Sequence, residues 1–425
     1  MDSIRTAPAT RTGTDRSGAT GTLGVVPVRV GRRAGHGFPS ALTGGRIDGV
    51  DGLRALAVAV VMVYHLDADL LPGGAFGVDV FFTISGFVIT RLLLAEFARG
   101  GTVAMGPFYR RRWLRLVPAL LALCAVCAVL ALTTGLPGFD NAWASIGLSA
   151  TFLVNLVRAG QPGPYSDDTA LLAHTWSLGV EEQFYLLWPP VLVLLLRWVR
   201  PRTVLIAAAV LCAMPVFWRW YLWDPSAAHR IYNGTDTRAD QLLAGALLAI
   251  VVARLDAEDR RLAALRRWSG RLAWPALGVL GLLVWYIPGT HTGVWTVPLY
   301  TVGFLVTAVL TATVLAALDL SPRAPLARVL SLAPLVWVGR NLSYALYLWH
   351  YPLGRLLAGL GVDTWHTPAT LAASFAAATA SYYLIERPLT RRKRPKRPKQ
   401  AEAEAPPSPE NAPVASPAVR GGPAG

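Results

Sequence analysis

The fold class that the sequence predicts is all-α: a polytopic membrane helix bundle of about ten transmembrane helices, with both termini cytoplasmic. Three observations predict it. Of the 425 residues, 53% are hydrophobic and only 15% are charged, where an ordinary soluble domain carries about a quarter charged residues. The mean hydropathy is +0.42. The arginines fall in short clusters between apolar runs, at every second connection, as cytoplasmic loops do under the positive-inside rule.

Taken in order, residues 1–45 are rich in Thr, Gly, Pro and Arg and lack an apolar core. They read as a disordered basic leader, not as a cleavable signal peptide. Ten apolar segments follow, at 50–66, 76–95, 114–133, 184–199, 204–223, 239–253, 272–287, 295–317, 333–352 and 368–385. Each approaches the roughly 20 residues that cross the hydrocarbon. The arginine-rich connections are 99–115, 197–202, 254–271, 323–340 and the tail from Arg387. The stretch 143–157 is also apolar, but if it spanned, the later basic loops would move outside. It is therefore expected to be a re-entrant or interfacial piece on the outer face. Residues 46–391 form the membrane-embedded domain, and 392–425 read as a disordered basic, Pro- and Ala-rich tail.

The formal net charge of +15 does not imply nucleic acid, because the basic residues form no groove or face. The expected partner is the lipid bilayer. Cys124 and Cys127 spell C-x-x-C, but inside an apolar run without the polar partners that redox or zinc chemistry needs. With Cys212 they read as core cysteines, and no metal site or disulfide framework is expected.

Ionisable groups inside apolar helices are costly and so mark candidate function. Arg54 and His65 lie eleven residues apart, about 20° past three full turns, which puts them on one face roughly 16 Å apart along the axis. Asp79 opens the run GVDVFFTISGF, which also holds Ser85. His174, Ser177 and Glu181 fall at helical spacing in HTWSLGVEEQFY, beside Trp176 and Glu182. Ser343, Tyr347 and His350 share a face of SYALYLWH. Arg110, Arg111, Arg112 and Arg115 crowd the cytoplasmic start of the third segment, and a guanidinium fork suits phosphate. Asp236, Arg238 and Asp240 open the sixth segment, where Arg238 could pair locally.

In series, these strings resemble the bacterial acyltransferase 3 family, membrane O-acyltransferases of the O-antigen acetylase type, from about Arg46 to Arg391. The carrying pieces are Arg54…His65 (R-x10-H), GVDVFFTISGF, FYRRRWLRLVP with its R-x-x-R at Arg112 and Arg115, HTWSLGVEEQFYLLWP, DTRADQLLAGALLA, LSYALYLWHYPL and IERPL. The resemblance implies a multi-pass protein of the bacterial cytoplasmic membrane that transfers an acyl group, acetyl above all, from acyl-coenzyme A to a hydroxyl of a carbohydrate-like or metabolite acceptor. Acyl-coenzyme A would be a co-substrate, with no tightly bound cofactor. His65 would be the catalytic residue with Arg54 in support, and Arg112 and Arg115 match the family's functional arginine pair; from their cytoplasmic position, Arg111, Arg112 and Arg115 are expected to hold the donor's phosphates. Some members carry an appended hydrolase-like domain, which is not expected here.

An alcohol needs a base in the transition state, and imidazole titrates in the right range. His65 is thus expected to take the acceptor proton, with Asp79 or Glu181 fixing its tautomer. A covalent acyl-His is the competing route. Ser85, His174, Trp176, Ser177, Glu182, Arg238, Asp240, Tyr347 and His350 are expected to bind the acceptor or support the site. No G-x-S-x-G elbow occurs, so a serine-hydrolase mechanism has no support. A transporter or flippase for a lipid-linked or glycosylated substrate is the alternative class.

Overall fold

A computed structural model describes residues 45–136, 139, 142–160, 170–224, 226, 228–255, 258–287 and 296–390. Apart from Gly45, the flanking segments expected to be disordered lie outside the described residues. Every regular element among the described residues is helical. In chain order they are α1 (Asp48–Leu66), α2 (Phe76–Gly100), α3 (Met105–Thr133), α4 (Ala142–Ala150), α5 (Val154–Ala159), α6 (Trp176–Trp198), α7 (Pro201–Leu222), α8 (Ala228–Asn233) and α9 (Thr235–Arg254). There follow α10 (Arg260–Tyr286), α11 (Thr296–Pro298), α12 (Phe304–Leu320), α13 (Pro325–Leu330), α14 (Ala333–Trp337), α15 (Ser343–Gly359), α16 (His366–Ser381) and α17 (Arg387–Thr390). Among the described residues, three π-turns, at Leu299–Gly303, Val338–Leu342 and Tyr382–Glu386, lie between consecutive helices.

Among the described residues, six helical stretches are long and apolar enough to cross a membrane: Asp48–Leu66, Phe76–Gly100, Met105–Thr133, Ala173–Trp198, Pro201–Leu222 and Leu299–Leu320. The other four expected spans are helical but differ from a plain apolar span, each for a local reason. α9 begins with Asp236, Arg238 and Asp240, and α10 carries a basic first half from Arg260 to Arg271. The ninth segment is interrupted by the π-turn between α14 and α15, and α16 runs into another after 16 residues. The stretch 143–157 forms two helices, α4 and α5, of nine and six residues. Neither is long enough to cross a membrane.

On α7 the outward side chains are Ile206, Val210, Met214 and Phe217, each more than half exposed. A stripe of that kind is costly in water and suits lipid. The inward faces meet closely. A Cβ on Gly86 of α2 would fall on the Leu242 carbonyl of α9, and one on Gly245 of α9 would fall on the Thr83 carbonyl of α2. Small residues at such crossings let two helix backbones touch, and this contact fixes the α2–α9 pair around which the polar groups gather.

Candidate active site

Three histidines from distant parts of the sequence meet where α1 ends, α6 begins and α15 passes. His350 is fully buried on α15, and its Nδ1 lies 3.1 Å from the Leu346 carbonyl. A carbonyl can only accept, so Nδ1 of His350 carries the proton, and its Nε2 carries the lone pair when the ring is neutral. That Nε2 lies 3.1 Å from Nδ1 of His65, which is also 3.0 Å from the Val61 carbonyl. His65 is then the donor at Nδ1, and its own lone pair sits on Nε2. His174 lies in the 3-10 turn Ala173–Thr175 ahead of α6, and its Nε2 donates to the Leu348 carbonyl at 3.2 Å. Its Nδ1 is buried without a hydrogen-bond partner among the described residues. Tyr351 stacks on the His174 ring at 5.0 Å and meets His65 edge-on at 5.3 Å.

A chain of hydroxyls adjoins this cluster. Tyr347 donates to the His174 carbonyl at 2.6 Å, so Ser177 must donate to the Tyr347 oxygen. Ser177 and Tyr347 also line a narrow cavity with Arg54, Val78, Phe81, Phe82, Ser85, Leu178, Glu181, Ser343 and Tyr344. At its other end Ser85 donates to Glu181 at 2.8 Å.

Arg54, Ser85, Glu181 and Tyr344 also line a second, larger cavity of about 820 Å³, so the two adjoin. The larger one is walled by Arg99, Arg111, Arg112 and Arg115 from the end of α2 and the start of α3. Here Arg112 bonds Glu182 at 3.1 Å and lies over the Tyr185 ring, and Arg111 sits 3.8 Å from Glu96. Among the described residues, Arg54 and Arg115 make no hydrogen bond, and Nε of Arg54 is buried. Two guanidinium groups so placed can accept an anion without first breaking an ion pair.

A separate polar network joins α2, α7 and α9. Arg238, 1% exposed, pairs with Asp79 of α2 and bonds Gln241 at 3.2 Å. The rings of Phe304, Tyr232, Trp176 and Phe82 surround its guanidinium at 3.8–5.6 Å, close enough for cation–π attraction. The local pairing expected at 236–240 therefore does not form. Asp240 instead takes Arg219 of α7 at 2.8 Å, and Asp236 takes Arg230 and the Trp218 indole. The partner found at Nδ1 of His65 is His350, while Asp79 is committed to Arg238 and Glu181 to Ser85.

Several residues of these networks were not singled out in the sequence. Arg219 bonds the Thr301 carbonyl as well as Asp240 and is wholly buried. Arg158 is 1% exposed and bonds Asn233 at 3.1 Å. Both are charges inside apolar runs, and that signal was available. Tyr344, Tyr351 and Tyr185 carried no signal beyond an aromatic residue near a polar one.

Comparison with known proteins identifies the family. A family model described as an acyltransferase domain matches residues 47–387. The chain is 32% identical over 352 residues to the peptidoglycan O-acetyltransferase OatA of Listeria monocytogenes, covering 81% of this chain and 56% of that protein. It is 35% identical over 321 residues to the O-acetyltransferase OatA of Staphylococcus aureus, covering 72% of this chain and 50% of that protein. The chain thus spans about half the length of the curated relatives it matches. No solved structure matches. With a match that runs from the start of α1 to the start of α17 and takes in both the histidine cluster and the arginine-walled cavity, the chain belongs to the acyltransferase 3 family.

Proposed function

We propose that this protein is an O-acetyltransferase of the bacterial cytoplasmic membrane that carries acetyl from acetyl-coenzyme A to a carbohydrate hydroxyl. The observation that carries the reading is the sequence of neighbours from the arginine-walled cavity, through the adjoining narrow cavity, to Tyr347 on its wall and the His174 ring against it. Ten spans with both termini cytoplasmic put the arginines on the cytoplasmic side and His65, His174 and His350 toward the outside. Arg111, Arg112 and Arg115 then hold the phosphates of the donor, and Arg54 steadies the arm or the thioester oxygen. The relatives' names favour peptidoglycan as the acceptor.

In the proposed step, Nε2 of His65 takes the proton of the acceptor hydroxyl as its oxygen attacks the thioester carbonyl carbon. The C–O bond forms, the C–S bond breaks, and the thiolate leaves and is protonated. His350 holds His65 in the tautomer this requires. Asp79 and Arg238 fix α2 against α9 and so set the wall of the narrow cavity, and Asp240 with Arg219 does the same for α7. The test is transfer of radiolabel from acetyl-coenzyme A into a base-labile ester in membranes, with His65→Ala beside wild type. Label that persists undiminished in a normally inserted His65→Ala protein would remove His65 from the chemistry.

A further inference from the structure

We infer that Arg340 and Arg46 are positioning residues for the donor: they hold the Asp51 carboxylate, and Arg54 is thereby kept available to the donor. The inference rests on the reading of Arg54 as a donor contact and names what keeps it from an ion pair of its own.

Asp51 precedes Arg54 by three residues on α1. Side chains three apart on a helix are neighbours, and opposite charges at that spacing pair. The two do face one space. With Arg46, Arg91 and Arg115 they line a cavity of about 290 Å³ between α1, α2 and α3, which shares Arg54 and Arg115 with the arginine-walled cavity. Asp51 is 5% exposed, and a buried carboxylate needs a cationic partner. By spacing within α1, that partner would be Arg54.

The pair does not form. Oδ2 of Asp51 accepts from Nε of Arg340 at 2.9 Å and from Nε of Arg46 at 3.1 Å, and Arg340 also bonds Asp48. Among the described residues Arg54 makes no hydrogen bond. Asp48 and Asp51 both suit the N-terminal end of the α1 dipole, but a dipole calls for no particular arginine. Arg340 lies 289 positions from Asp51 and is brought to it by backbone contact. It sits in the π-turn Val338–Leu342, where a Cβ on Gly339 would fall on the Asp51 carbonyl. On the next residue of α1, a Cβ on Gly52 would fall on the Leu330 carbonyl of α13. A carboxylate that already holds two guanidinium groups draws a third only weakly. Without Arg340 and Arg46, Asp51 turns to Arg54, and the donor must displace a carboxylate to reach it.

The experiment measures KM and kcat for acetyl-coenzyme A in membranes carrying the full chain, normalised to tagged protein. The double variant Arg46→Ala with Arg340→Ala is expected to raise KM about tenfold, the scale of one charge-assisted hydrogen bond, with kcat little changed. Adding Asp51→Asn is expected to return KM to near the wild-type value, because the competing carboxylate is gone. Arg46 and Arg340 are partly exposed, so Asp51→Asn strands neither charge away from water. A purely structural role would not be rescued in this way, since the third replacement removes a further contact. An unchanged KM in the double variant overturns the inference, and so does a raised KM that Asp51→Asn leaves raised. If the double variant fails to reach the membrane, Arg340→Ala alone decides. Arg46 then still holds Asp51, so a smaller rise in KM is expected, again reversed by Asp51→Asn, and the same two results overturn the inference. Arg54→Ala, assayed alongside, separates the two readings. If it raises KM while the double variant does not, the inference alone fails. If it leaves KM unaltered, Arg54 is no donor contact and the inference falls with that reading.

Discussion

Replacing His350 by Phe removes the acceptor at Nδ1 of His65 while keeping a ring of similar size in the same buried place. The size of the effect follows from what remains. Nδ1 of His65 keeps the Val61 carbonyl at 3.0 Å, so the tautomer with the lone pair on Nε2 loses one of two acceptors, not both. A net hydrogen bond contributes about 0.5–1.5 kcal/mol, so kcat should fall about 2- to 12-fold. Removing the base itself, in His65→Ala, should cost on the order of 10²–10⁴-fold. His350→Gln restores an acceptor oxygen and should recover part of the loss. The assay is initial-rate acetyl transfer in membranes at saturating donor, normalised to protein detected by an epitope tag. KM for the donor should stay level, because the arginine-walled cavity is untouched. If His350→Phe matched His65→Ala in magnitude at normal abundance, His350 would itself be moving a proton and the positioning argument would be refuted.

Four more outcomes are expected. Asp79→Ala leaves the Arg238 guanidinium buried without its carboxylate and should destabilise the protein by about 3–5 kcal/mol; combining Asp79→Leu with Arg238→Met should recover most of it in thermal unfolding in detergent. A silent single replacement would mean that the pair is solvated. Arg115→Ala should raise KM for acetyl-coenzyme A about tenfold or more, as expected for loss of a charge-assisted hydrogen bond to phosphate, with kcat little changed; an unaltered KM would take Arg115 out of the donor site. Burial pushes the Glu386 carboxyl up to about 7, against the pull of Arg115. It is therefore neutral below that pH and charged above it, where its negative charge opposes phosphate binding at Arg115. KM for the donor should rise between pH 6 and 8, and Glu386→Gln should flatten the rise; an identical profile in both proteins would exclude that effect. Gly245→Val drives a side chain into the Thr83 carbonyl and should abolish stable insertion, which a protease-protection assay would detect.

The apolar runs, their arginine-rich connections and the polar stripes were all readable because they depend on spacing within one helix. Ser343, Tyr347 and His350 share a face of α15 as their spacing requires. The His174–Ser177–Glu181 stripe was read as one helix, but His174 sits in the 3-10 turn before α6. That small change of pitch sends its ring toward α15. Pairings across the bundle were not readable. Arg238 has two acidic neighbours within two residues and yet bonds Asp79, which is 159 positions away. Local spacing offers the near partners, whereas packing of α2 on α9 through Gly86 and Gly245 decides the real one. Arg219 carried the signal of a charge in an apolar run, but its depth was masked by its neighbours. With Trp218 and Trp220 beside it, it resembles a side chain at the membrane interface, and only the bundle shows it wholly buried.

The Arg219–Asp240 pair also constrains how the chain is made. A translocon passes helices to lipid in order of synthesis, and an arginine within a spanning helix costs about 2.5–3.5 kcal/mol in that step. The carboxylate that neutralises Arg219 follows it by 21 residues and lies on the next long helix, beyond α8. α7 thus emerges from the ribosome before its counter-charge has been synthesised. The natural unit of insertion is α7 through α9 delivered as one hairpin, with the charges already joined. Replacing Asp240 would then register during biosynthesis, as chains retained at the translocon or degraded, before any folded enzyme existed to be assayed.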